Sequence, residues 1–176
     1  MVSRQTIETC LLDLSRRIDE EQEHAIHEAW RDFLDDRVDS GIFVPPGRKQ
    51  APPTVEWPEV TIPDALRDPG AMLLQQFRAV SDALADGGTA VLNVRCNYGV
   101  SIMASQLGCE VIEMAADQPN TPTAAPLGSR DAVRAAIDRG IPDTRAGQGG
   151  QVFETAERFL DALEQHPVLK RWIHLY

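Results

Sequence analysis

Cysteine is scarce: Cys10, Cys96 and Cys109 are the only three in 176 residues, and no two form a Cys-x-x-Cys pair. Such usage argues against a disulfide framework and against a structural zinc site in this chain, and suits reduced thiols in the cytoplasm. Positive charge is also short, with 17 basic against 27 acidic side chains and a net charge of -10. A phosphate backbone needs a basic footprint, so nucleic acid is excluded as a partner. No apolar run approaches the roughly 20 residues of a membrane helix, and MVSRQTIETC lacks the apolar core of a signal peptide, so no membrane is expected. Length sets a further bound, because a complete eight-fold α/β barrel typically takes about 250 residues. No internal repeat is visible.

What is present falls into three stretches. Residues 1–40 hold 11 acids and 5 bases, and Ile7, Leu11, Leu14, Ile18, Ala25, Ala29 and Phe33 recur at three- and four-residue steps. That spacing predicts one long acidic amphipathic helix over 3–37, either lying across a body or offering a surface for a homo-oligomer. Residues 41–63 carry six of the twelve prolines, between Pro45 and Pro63, and read as an extended connector anchored by Trp57 and Val60. Residues 64–176 alternate helices with strands. Asp68-Pro69 caps a helix that Gly87-Gly88 ends. Thr89–Arg95 reads as a buried strand, Gly99–Leu107 as a short helix and Cys109–Met114 as a second strand. A polar loop over 116–128 leads to a helix capped by Ser129, the glycines at 147–150 open another over 152–164, and Arg171–Tyr176 reads as a strand. The alternation favours a parallel sheet covered by helices.

In such folds ligands gather at the carboxyl ends of the strands. That rule selects Arg95, Asn97 and Tyr98 after the first strand, and His174 and Tyr176 at the last. A guanidinium closing an apolar strand can grip a carboxylate through two charge-assisted bonds, or it can pair with a nearby acid. Cys96 would serve as a nucleophile only if a base lowered its pKa, and no local motif supplies one. Glu21-x-x-His24, with His27 three residues on, has carboxylate-bridged metal spacing, yet it falls off the apolar seam and reads as a solvated acidic face. Ala146-Gly-Gln-Gly-Gly150 can turn backbone N–H groups toward an anion, with Arg145 beside it, or can simply make a sharp loop into a helix.

Several short stretches carry a family resemblance: Asp64–Met72, Val91-Leu-Asn-Val-Arg-Cys-Asn-Tyr-Gly99, Thr121-Pro-Thr123 with Pro126-Leu127, and Gly140-Ile-Pro-Asp143 through Gly150-Gln-Val-Phe153. Residues 64–176 thereby resemble the N-terminal part of a uroporphyrinogen decarboxylase-like protein, in a divergent branch of that superfamily. The resemblance implies an α/β fold, a partial TIM barrel preceded by the long N-terminal helix. It also implies a carboxylate-bearing, tetrapyrrole-like ligand and, in the decarboxylases, arginines after the first barrel strand. Arg95 matches the first of these; Gly99 stands where the pattern has a second. No catalytic residue is assigned, Glu113 being only a loose match at the end of the second strand. A decarboxylase of this kind requires no metal or organic cofactor. Two alternatives remain: a corrinoid or thiol methyltransferase-like protein of the same superfamily, and a non-catalytic assembly module using the N-terminal helix. Ending on an uncovered strand, the chain reads as a fragment, inactive by itself.

Overall fold

A computed structural model describes residues 2–38, 41–114 and 120–176. The N-terminal stretch forms two helices rather than one, α1 (Arg4–Arg17) and α2 (Glu20–Leu34). Asp19 makes the break. Its backbone is extended, and its carboxylate accepts the N–H groups of Glu21 and Gln22 at 3.1 and 3.3 Å, which starts a new helix where Gln22 interrupts the apolar seam. Arg17 locks the end of α1. Its buried guanidinium donates to Asp13, to the Ala51 carbonyl at 2.6 Å, and to the Ser81 hydroxyl and carbonyl at 2.6 and 2.7 Å.

The connector runs without helix to Val60 and is fastened by buried polar groups. Asp13 accepts the Thr54 N–H at 3.0 Å, the Thr54 hydroxyl and the Trp57 indole N–H at 3.4 Å. Arg48 forms a fork with Glu23 of α2, the two heads at most 2% exposed. Unpaired, either charge would be costly there; paired, they fix where α2 lies.

Next come α3 (Ile62–Arg67) and α4 (Pro69–Asp86). Asp68 caps α4 by accepting the Gly70 N–H at 2.9 Å, and Pro69 fills its first turn. Gly87 ends it at φ +75°, where a Cβ would come within 2.7 Å of the Arg48 carbonyl oxygen. The remaining elements are β1 (Asn93–Val94), α5 (Ser101–Gln106), β2 (Val111–Ile112), β3 (Thr123–Ala124), α6 (Arg130–Asp138), α7 (Gly149–Gln165), α8 (Pro167–Trp172) and β4 (His174–Leu175). The core lies between helices: Leu11 and Leu14 of α1, Phe77 of α4, Phe159 of α7 and Leu169 of α8 are buried together with Val94 and Tyr98. The apolar seam of α1, expected either to lie across a body or to face a partner helix, packs against the body of this chain. None of the described helices is long and apolar enough to cross a membrane.

The expectation of a partial TIM barrel is overturned. Among the described residues there are four strands of two residues each, in two separate two-stranded sheets. β1 and β4 pair in parallel with Asn93 opposite His174 and Val94 opposite Leu175, whereas β2 and β3 pair antiparallel. A barrel wall needs every strand bonded on both sides, and here each strand has one neighbour. The apolar runs pair only in part, because Thr89, Ala90 and Glu110 are exposed and Arg171–Trp172 belong to α8. β3 arises inside the stretch expected to be loop; residues 116–119 of that stretch lie outside the described residues.

Candidate ligand cleft

The parallel pair brings three of the five sequence-selected residues together. The His174 N–H donates to the Leu92 carbonyl at 3.0 Å and the Tyr176 N–H to the Val94 carbonyl at 3.2 Å. Side chains alternate along a strand. Val94 and Leu175 therefore turn toward the core, and Arg95, His174 and Tyr176 share the opposite, exposed face. Arg95 forms no ion pair among the described residues; its backbone N–H donates to the Gln76 side-chain oxygen at 3.3 Å. The bland alternative for this residue, a structural pair with a nearby acid, is not realised there.

Asn97 and Tyr98 leave that face. Tyr98 turns inward, 2% exposed, with its hydroxyl 2.8 Å from that of Thr155 on α7. Gly99 permits the turn at φ +80°, since a Cβ there would lie 2.8 Å from the Thr121 Cβ. Burial pushes the Tyr98 phenol pKa up, nearby Cys96 and Glu154 add to it, and the Thr155 bond opposes it, so the hydroxyl keeps its proton. Burial also pushes the Cys96 thiol up to about 11, which leaves it a thiol and removes it as a nucleophile at neutral pH.

Tyr98 forms part of the wall of a cleft of about 320 Å³, bounded by Pro63, Leu66 and Arg67 of α3, Val111, Glu113, Met114, Asn120 and Pro122 around the hairpin, and Gln148 and Gln151 at the start of α7. It lies beyond the carboxyl end of β1, where the strand-end rule points. Gln148 is held rigidly: its side-chain oxygen accepts the buried Ser101 hydroxyl at 2.7 Å and its N–H donates to the Ser105 hydroxyl at 3.0 Å. Its amide NH2 remains free to donate. Arg67 meets Glu113 at 3.7 Å with both side chains mostly exposed, a contact worth at most about 1 kcal/mol. An incoming carboxylate can compete for that guanidinium.

The glycine loop serves packing. A Cβ on Gly149 would lie 1.9 Å from the Thr144 carbonyl oxygen, and one on Gly147 2.5 Å from the Ser105 hydroxyl. Arg145 is engaged with Glu157 at 3.4 Å and stands over the Phe153 ring. Around His24 and His27, as elsewhere among the described residues, no three metal-ligating side chains converge. Sequence reasoning missed Arg67, Asn120 and Gln151; its two signals were Tyr98, which a strand-end search finds, and the Ala146–Gly150 loop, which contains Gln148 but was weighed for its backbone N–H groups alone. Comparison with known proteins finds no family model, no curated protein and no solved structure that matches this chain.

Proposed function

We propose that this protein binds a small carboxylate-bearing molecule in the cleft beyond β1, in the reducing setting that its free cysteines suit. One observation carries the reading. A doubly anchored glutamine and two further side-chain amides, Asn120 and Gln151, line the same concavity as one weakly paired guanidinium, while Tyr98 walls it with its hydroxyl turned to Thr155. A carboxylate on Arg67 would be oriented by the amides of Gln148, Asn120 and Gln151. The volume sits at the small end of the roughly 300–1,000 Å³ typical of ligand sites, which suits a small acid or one carboxylate arm of a larger molecule. The ligand class is the one that the resemblance to uroporphyrinogen decarboxylase-like proteins implies, and the amides and guanidinium lining the cleft support it. Arg95 does not line the cleft; exposed and without an ion pair among the described residues, it is the cation that this reading assigns to a second carboxylate.

Calorimetry with succinate, phthalate and a pyrrole carboxylate tests it. At least one should bind, and Arg67→Ala should weaken it roughly 10- to 100-fold, as expected for loss of a charged hydrogen bond. Arg95→Ala should weaken a dicarboxylate more than a monocarboxylate. Absence of binding, or binding indifferent to both substitutions, would remove the proposal.

A further inference from the structure

One buried side-chain polar atom among the described residues has no hydrogen-bond partner: Nε2 of His27, in the middle of α2. Such an orphan in a native fold calls for an explanation. The ring of His27 packs 5.1 Å from that of His174 on β4 and edge-on, 5.3 Å away, to that of Trp172 on α8. These rings form the seam between α2 and the end of the chain. Elsewhere α2 is held by the Glu23–Arg48 fork, by the Trp30 indole N–H on the Thr89 carbonyl at 3.1 Å, and by Glu20.

We propose that α2 is a proton-loosened latch: a proton taken up by His27 weakens the docking of Glu20–Leu34 on α8 and β4, against the Glu23–Arg48 fork that still holds it, while α1, α4 and α7 stay packed. The charges around the ring dictate the direction. From β4 it faces His174, from the connector Arg48, and from its own helix Arg31, while Arg171 of α8 lies over the Trp172 ring. The neighbouring carboxylates are already committed. Both Glu23 oxygens bind Arg48, Glu20 accepts Trp172 and Arg171, and Glu28 pairs with Arg31. A charge on His27 therefore finds cations and occupied anions, whereas in the undocked helix it finds water. Burial, then His174, depress its pKa; Glu23 opposes them, and Arg48 and Arg31 add to the depression. A histidine with its docked pKa below its free value of about 6.5 leaves docking intact above that pH and weakens it as pH falls through it. Loosening would draw the His27 ring away from His174, on the exposed strand face that also carries Arg95 and Tyr176.

Hydrogen exchange on the full chain at pH 7.5 and 5.5, corrected for intrinsic exchange rates, tests the latch. Amides of α2 should lose protection by about tenfold at the lower pH, the limit for one histidine of free pKa about 6.5, while those of α4 do not change. Unchanged protection in α2, or equal loss throughout the chain, would overturn the proposal. His27→Leu should keep α2 protected at pH 5.5, and a variant losing protection as the parent does would also overturn it. If that variant leaves α4 unprotected even at pH 7.5, carbon-detected titration of the His27 ring in the unsubstituted protein decides. A midpoint below 6.5 supports the latch, and one at or above 6.5 refutes it.

Discussion

The helices α1, α4, α7 and α8 and the described residues of the segment from 99 to 148 carry similar apolar side chains, yet they use them in opposite ways. In the helical body, Leu14, Phe77, Phe159 and Leu169 are 0% exposed and touch across four helices. In the other segment Val100, Met103, Ile137 and Ile141 are between 70% and 97% exposed. The difference is geometric. Helices of 14 to 18 residues such as α1, α4 and α7 present a stripe several turns long, enough to close a core. α5, with six residues, and α6, with nine, present only short stripes of their own, whereas α8, as short as α5, buries Leu169 and Trp172 in the core that the long helices form. Polar ties hold that segment instead: Ser101 and Ser105 to Gln148, the Gln106 amide N–H on the Thr144 carbonyl at 2.7 Å, and Arg139 on the Leu107 carbonyl at 3.1 Å. The cleft opens where the two regions meet, with loop residues positioned by a packed scaffold.

Three perturbations sharpen that contrast. The largest effect is expected in the body, where Phe159→Ala should cost about 3–5 kcal/mol because its ring packs fully buried, 5.9 Å from that of Phe77. Denaturant unfolding measures this, and a cost under 1 kcal/mol would mean that the helical core is not packed as described. Next comes acid. Burial raises the pKa of Asp13, but hydrogen bonds from Thr54, Arg17 and Trp57 outweigh it and hold the carboxyl below its usual range. Its stabilising contribution is present above the unfolded pKa of about 3.9 and is lost as pH falls through the lower folded value. Asp13→Asn should flatten that part of the stability–pH profile; an unaltered profile would show that Asp13 does not anchor the connector. The smallest effect belongs to the sparse segment, where Ile137→Ala should shift stability by no more than about 0.5 kcal/mol. A loss comparable to that of Phe159→Ala would erase the distinction between the two regions.

Several elements were legible in the sequence, because their signals are local. Asp68-Pro69 and Gly87 bracket α4, Ser129 caps α6 through the Ala132 N–H at 3.1 Å, and the parallel approach of Val94 and Leu175 follows from strands separated by helices. The break at Asp19 was hidden: Ile18 keeps the helical rhythm, and the capping aspartate stands in a run of acids. Strand lengths were not legible, since pairing depends on partners far along the chain. The barrel expectation failed on that point, with apolar runs of six or seven residues pairing over only two. At the site, the strand-end rule reached Tyr98 and Arg95. It had no route to Arg67, on a helix 28 residues before Arg95, or to Gln148, in a loop that read as a turn.

The central claim, that the cleft beyond β1 is the ligand site, is tested most directly by mapping amide chemical shifts during titration with the same carboxylates. The predicted result is that shifts cluster at Arg67, at residues 98–101 and at residues 148–151. Shifts confined to the groove of Arg4, Arg158 and His166 between α1, α4 and α7, or absent altogether, would contradict it.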